Sequence, residues 1–216
     1  MSERQLTVLR VSATRTNVSA LDPTDTPGPD AEAEKHHRIL AAAVQVLARY
    51  GFRRTSMEDI ASAAGMSRPA LYQHFRNKED ILRSLLQAYY DTCATDLQAA
   101  LADGGPVGRV LPLAFAAVSG PMVATLLESP HGPELLDSSL ALAADIKEAG
   151  EARLAMALSG WLAAQAQAGQ VRLPGPADDT AALMMRALKG IKQPPYADYA
   201  ANRDRLAELM ARGLAP

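Results

Sequence analysis

Residues 67–78, SRPALYQHFRNK, hold side chains suited to reading a base edge and gripping a phosphate. Arg68 carries a planar guanidinium whose paired N–H donors match the O6 and N7 acceptors of guanine. Pro69 and Ala70 offer small apolar surfaces of the kind that meet a thymine methyl; for Pro69 the alternative is helix initiation alone. Gln73 has the amide that pairs with adenine, at an angle that sets it to the margin of Arg68. Helical spacing puts Arg68, Tyr72 and Arg76 on one face and Leu71 and Phe75 on another. Pro69 fits as the second helical residue after a Ser67 N-cap, because first-turn N–H groups have no intrahelical partner to lose. Lys78 stands at the start of the next helix, where the helix dipole disfavours a cation. It therefore calls for an outside anion such as a phosphate.

A reading helix of about nine residues is unstable alone and must be displayed by a scaffold. The flanking sequence supplies one. Ile39, Ala43, Val46, Leu47 and Tyr50 share a helical face that ends at Gly51. Thr55 reads as the N-cap of a second helix, with Glu58 completing a capping box and Ile60, Ala61 and Ala64 facing inward. Asn77 caps a long helix with Glu79 and Asp80 in its first turn. Beyond it, glycine and proline clusters near 103–106, 120–121, 129–133, 169, 174–176 and 194–195 divide further helices, with no strand–turn–strand pattern. The fold class is all-α. Residues 1–32 read as a flexible arm rich in Pro, Asp and Thr, residues 33–80 as a three-helix head, and residues 81–216 as a larger helical domain.

Composition narrows the function. The 216 residues carry a formal charge of −2, yet residues 31–80 hold eight Lys/Arg against six Asp/Glu, and residues 81–216 eleven against fourteen. The basic excess sits where the reading helix lies. Cys93 is the only cysteine and there are four histidines. His36 and His37, adjacent on a helix, point about 100° apart, so no metal cluster is expected. No glycine-rich phosphate loop, nucleophile elbow or paired motif carboxylates are present, so neither an enzyme nor a cofactor is expected. Val110 to Leu127 is uncharged but broken by Pro112, Gly120 and Pro121. That favours a buried helix and a bend over a membrane span. With no signal-peptide pattern, a soluble cytoplasmic protein is expected.

The stretch TSMEDIASAAGMSRPALYQHFRNKEDIL closely resembles the DNA-binding segment of the TetR family of transcriptional regulators. Thr55, Ile60-Ala61, Ala64-Gly65, Ser67, Leu71-Tyr72, His74-Phe75 and Lys78-Glu79 carry the likeness, which runs from Arg38 to Leu86. Arg68-Pro69 departs from the family's usual pair, which bears on the bases read. The resemblance implies an N-terminal helix-turn-helix domain followed by a helical ligand-binding and dimerisation domain. It also implies a homodimer on a palindromic DNA operator, released by a small molecule, and repression as the usual sign. Tyr72 and Lys78 match the family's phosphate-contacting positions. Thr55 through its hydroxyl, Ser56 and His74 are further phosphate candidates; for His74 packing between helices is the alternative.

Two terminal stripes suit the implied dimer. Ala181, Met184, Met185, Leu188 and Ile191 form one, and Leu206, Leu209, Met210 and Gly213 the other; the alternative is burial within one subunit. For the ligand, Tyr89, Tyr90, Phe115, Met122, Met156 and Trp161 stand among small residues, with His131 and Gln165 as added polar anchors. Few charges lie on these faces, so an uncharged or weakly charged, largely hydrophobic effector is expected.

Overall fold

A computed structural model describes residues 29–132, 135 and 142–216, and every regular element among them is an α-helix. The expected arm lies outside the described residues except for its last four, which open the first helix. In chain order the helices are α1 (Pro29–Tyr50), α2 (Met57–Ala63), α3 (Arg68–Tyr72), α4 (Lys78–Ala102), α5 (Val107–Ser119), α6 (Met122–Leu127), α7 (Ala144–Gln167), α8 (Ala177–Gly190) and α9 (Tyr196–Gly213).

The first core explains why α1 to α3 form a head. Ile39, Leu40, Ala43, Val46 and Leu47 recur at three- and four-residue spacing on α1 and are buried. They close on Phe52, Met57, Ile60, Ala61, Leu71 and Phe75, and on Ile81, Leu82 and Leu85 of α4. Local chemistry sets the ends. The Ser56 hydroxyl accepts from the Asp59 backbone N–H at 3.2 Å, and the Asp59 carboxylate accepts from the Ser56 N–H at 2.8 Å. The capping box is therefore Ser56/Asp59, one residue later than the spacing suggested, and Thr55 is not the cap. Thr55 is 3% exposed and donates its hydroxyl to the Gly51 carbonyl at 2.8 Å. Ser67 does cap α3, accepting from the Ala70 N–H at 3.3 Å, with Pro69 in the first turn. At five residues, α3 is shorter than expected.

The second core is built by α4, α5, α7, α8 and α9 around Leu97, Leu111, Phe115, Leu154, Leu158 and Leu162. Helix α4 belongs to both cores, handing over between Leu85 and Tyr90. It crosses the boundary expected at residue 80 without a break. Two glycines allow the close packing here. A Cβ on Gly120, whose φ is +66°, would lie 2.6 Å from the Tyr89 ring and 2.8 Å from Cys93 Sγ. One on Gly150 would lie 2.2 Å from the Tyr90 ring, so α7 and α4 can approach only at a glycine. Across the surface, Arg83 of α4 clamps Asp145 of α7 with two bonds of 2.9 and 2.7 Å. Val110 to Leu127 is α5, a turn at Gly120 and α6, with Pro112 tolerated inside α5. No helix among the described residues is long and apolar enough to cross a membrane.

Candidate nucleic-acid interface and inner cavity

The head displays the Arg68 guanidinium on a stiff support. Leu71, fully buried, anchors α3, which leaves Arg68, Pro69, Tyr72 and Gln73 exposed and Ala70 half-buried. The Arg68 guanidinium lies 5.6 Å from the centre of the Tyr72 ring and 3.4 Å from its hydroxyl. That stacking limits the rotamers Arg68 must give up when it meets a base. Tyr72 is 43% exposed, with its hydroxyl at the surface.

Three of the expected phosphate contacts are engaged elsewhere. The Lys78 ammonium donates to the carbonyls of Phe52 at 2.9 Å, Thr55 at 3.2 Å and Arg53 at 3.5 Å. Those acceptors replace the outside anion that its place at a helix start called for. Thr55 turns its hydroxyl inward, as described. His74 follows the end of α3, and the turn carries it under the head. Its side chain is 8% exposed, with Nδ1 3.0 Å from a Glu32 carboxylate oxygen and Nε2 buried without a partner among the described residues. Beside it His36 stacks on Phe75, and burial, with His37 and His74 nearby, holds its pKa below the ordinary value. Ser56 remains exposed. Arg76 is exposed but holds Asp80 through bonds of 2.7 and 3.1 Å. Sequence reasoning passed over Arg53 and Arg54, both exposed in the turn that leads into α2. Their adjacency just ahead of a capping box was the available signal.

Inside the molecule a cavity of about 710 Å³ lies where the two cores meet. It falls within the ~300–1,000 Å³ common for small-molecule sites. Val44 and Leu47 of α1 and Leu82 and Leu85 of α4 form its head side; Val118, Met122, Val123, Leu126, Leu154 and Leu188 continue the apolar wall. Of the expected ligand residues it brings together Tyr89, Tyr90 and Met122. Phe115, His131, Met156, Trp161 and Gln165 do not line it. Phe115 is core, Trp161 packs on the outside of the second core, and Met156, 71% exposed, lies on the outward face of α7. The Tyr89 hydroxyl donates to the Ser119 carbonyl at 2.9 Å, and the Ser119 and Tyr199 hydroxyls meet at 2.5 Å. Nor is the lining poor in charge, since Lys147, Arg186, Lys189, Lys192, Glu148 and Glu151 all contribute.

The terminal stripes also divide. Ala181, Met184 and Leu188 are buried inside this subunit, because α8 turns that face onto α7 and the second core. They are not available to a partner. Leu209 is 66% exposed, Gly213 is exposed, and Met185, Ile191, Leu206 and Met210 are half-buried. Leu183, 55% exposed, lies on the outer side of α8 and was missed.

A helix-turn-helix head joined by a shared helix to an all-helical body defines the class. Residues 39–85 match the model of bacterial regulatory proteins of the tetR family. The transcriptional activator FasR of Mycolicibacterium smegmatis is 35% identical over 68 residues, 32% of this chain and 31% of that protein. The transcriptional repressor ComR of Escherichia coli is 30% identical over 107 residues, 49% of this chain and 50% of that one. The chain thus spans a third to a half of the length of these curated relatives. SmeT, the repressor of the Stenotrophomonas maltophilia multidrug efflux pump SmeDEF, superposes with a TM-score of 0.63 at 19% identity, covering 84% of this chain and 90% of SmeT. SmeT has also been solved in complex with triclosan. Residues 39–85 of this chain are thus a DNA-binding segment of the tetR type, set in a chain whose helical fold is that of SmeT.

Proposed function

We propose that the protein acts as a homodimer that binds a palindromic DNA operator through α3 and releases it when a small, mainly apolar effector fills the cavity. The observation that carries this reading is the Arg68–Tyr72 pair, exposed on a helix whose opposite side is locked into the head core. A lone surface arginine has no need of such a mount. Arg68 is assigned to guanine, with Pro69, Ala70 and Gln73 beside it, and Tyr72, Ser56, Arg53 and Arg54 to the phosphates. One head contacts too little DNA for useful selectivity, so two are needed. Leu183 on α8 and Leu209 on α9, with Leu206 and Met210, offer the outward apolar surface for pairing.

The cavity supports control. Its walls include Val44, Leu47, Leu82 and Leu85, which also belong to or pack on the head core. A molecule lodged there presses on the junction of α1 and α4 and alters the tilt of the head. Release by an effector corresponds to repression, and ComR and SmeT are both named as repressors.

Sequencing DNA fragments retained by the purified full chain tests the proposal. An enriched inverted repeat supports it; a retained pool without enrichment overturns it.

A further inference from the structure

The cavity's charged side has an imbalance that its apolar walls do not explain. Four cations, Lys147, Arg186, Lys189 and Lys192, face two carboxylates, Glu148 and Glu151. Glu151 is already divided, with one oxygen 3.8 Å from the Lys147 ammonium and 3.6 Å from that of Lys189. The Lys192 ammonium forms no ion pair or hydrogen bond among the described residues. Burial pushes its pKa below the ordinary lysine value, against the pull of Cys93 and Glu151. Cys93 supplies no counter-charge near neutral pH, because burial raises its thiol to about 11.

A half-buried ammonium that faces a cavity without an acceptor is costly to keep, unless an anion arrives to meet it. The C-terminal dipole of α8 favours a cation nearby, and the Lys192 backbone N–H donates to the Lys189 carbonyl at 3.2 Å, but the ammonium itself meets none of that helix's last carbonyls. Away from the lysines the walls are mainly aliphatic, with Leu86, Val118, Met122, Val123, Leu126 and Leu154 beside the rings of Tyr89 and Tyr90. Glu148 and Glu151 stand on the same lining, so a multiply charged anion would be repelled.

We propose that the effector is an aliphatic carboxylic acid, bound as its monoanion, with the carboxylate on the Lys192 ammonium and the hydrocarbon tail along the α4–α5–α6 wall. This rests on the reading of the cavity as the effector site and adds the head-group chemistry to it.

Equilibrium dialysis of the full chain against radiolabelled decanoate, 1-decanol and decyltrimethylammonium, below their aggregation limits, tests it. Decanoate is expected to bind roughly tenfold or more tightly than decanol, the scale of one charge-assisted hydrogen bond in a sheltered site. Lys192→Met should bring the two within about twofold of each other while leaving decanol binding as in the parent, which also reports that the cavity is intact. Equal binding of acid and alcohol by the parent, an unchanged preference in Lys192→Met, or a preference for the cation would overturn the carboxylate assignment and leave the cavity reading standing. If none of the three bound, both would fall.

Discussion

Lys78, the first residue of α4, donates to the carbonyl of Phe52, 26 residues earlier, at 2.9 Å, and its ammonium lies 4.6 Å from the centre of the Phe52 ring. With the carbonyls of Arg53 and Thr55 as further acceptors, its three N–H groups tie the turn after α1 to the start of α4. That turn fixes where α2 starts, and α2 supports α3. Lys78 thus sets the pose of the reading helix and has no free donor for DNA.

Lys78→Met should therefore act first on stability. Charge-assisted hydrogen bonds contribute about 1.5–3 kcal/mol each when sheltered, so a loss of about 1–3 kcal/mol is expected for this partly exposed set. Thermal unfolding followed by circular dichroism measures it. At a temperature where the head stays folded, the slope of DNA affinity against salt should match the parent's. A slope reduced by about one with no change in melting would return Lys78 to the phosphates.

Arg68→Ala should weaken binding of the selected operator roughly tenfold or more and relax preference at one base pair in each half-site. Replacing Arg53 and Arg54 by alanine should weaken all duplexes alike and flatten the salt dependence. Anisotropy titrations on operators changed one pair at a time separate the two patterns. Base-specific loss from the Arg53/Arg54 variant would reverse the assignment.

Much of this was legible in the sequence because it depends on local rules. The apolar period of α1, the Ser67 cap and the Leu71/Phe75 anchor are fixed by residues within a few positions of one another. What could not be read depends on distant partners. Lys78 looked available because its acceptors lie on another element, and His74 because Glu32 and His36 sit on α1. On α8 the spacing showed an apolar stripe correctly but not which neighbour it meets. Leu188 turned to the inside, and Leu183 to the outside. Cavity lining is harder still, since it depends on how six helices and a loop leave space between them. Met156 and Trp161 have suitable chemistry on the wrong side of α7.

The division of the stripes gives opposite outcomes for similar substitutions. Leu209→Arg, at an exposed site, should leave helicity and melting nearly unchanged and shift the protein to monomers in light scattering. Leu188→Ala should instead cost about 2–5 kcal/mol of stability, as a cavity opens in the second core. A dimer that survives Leu209→Arg combined with Leu183→Arg would place the interface elsewhere.

Arg83 beside Asp145 holds the carboxyl at about 2, through its hydrogen bonds first. A depressed carboxyl contributes stability above its unfolded value of 3.8, and the contribution is lost as pH falls from there toward 2. Arg83→Met should move the Asp145 titration, followed by carboxyl NMR, back up toward 3.8. The acid-side decline in stability should then begin from a lower plateau. A titration that did not move would mean that the α4–α7 clamp is open in solution.

The central claim is that two heads of this chain read one DNA site together. Analytical ultracentrifugation of the full chain with a labelled duplex carrying the selected repeat tests it directly, beside a duplex of the same composition with the repeat shuffled. Two chains per duplex are expected, with half-sites about 10 base pairs or a multiple apart. Affinity should exceed that for the shuffled duplex by roughly a thousandfold or more at the same salt. One chain per duplex, or equal affinity for the two duplexes, would contradict it.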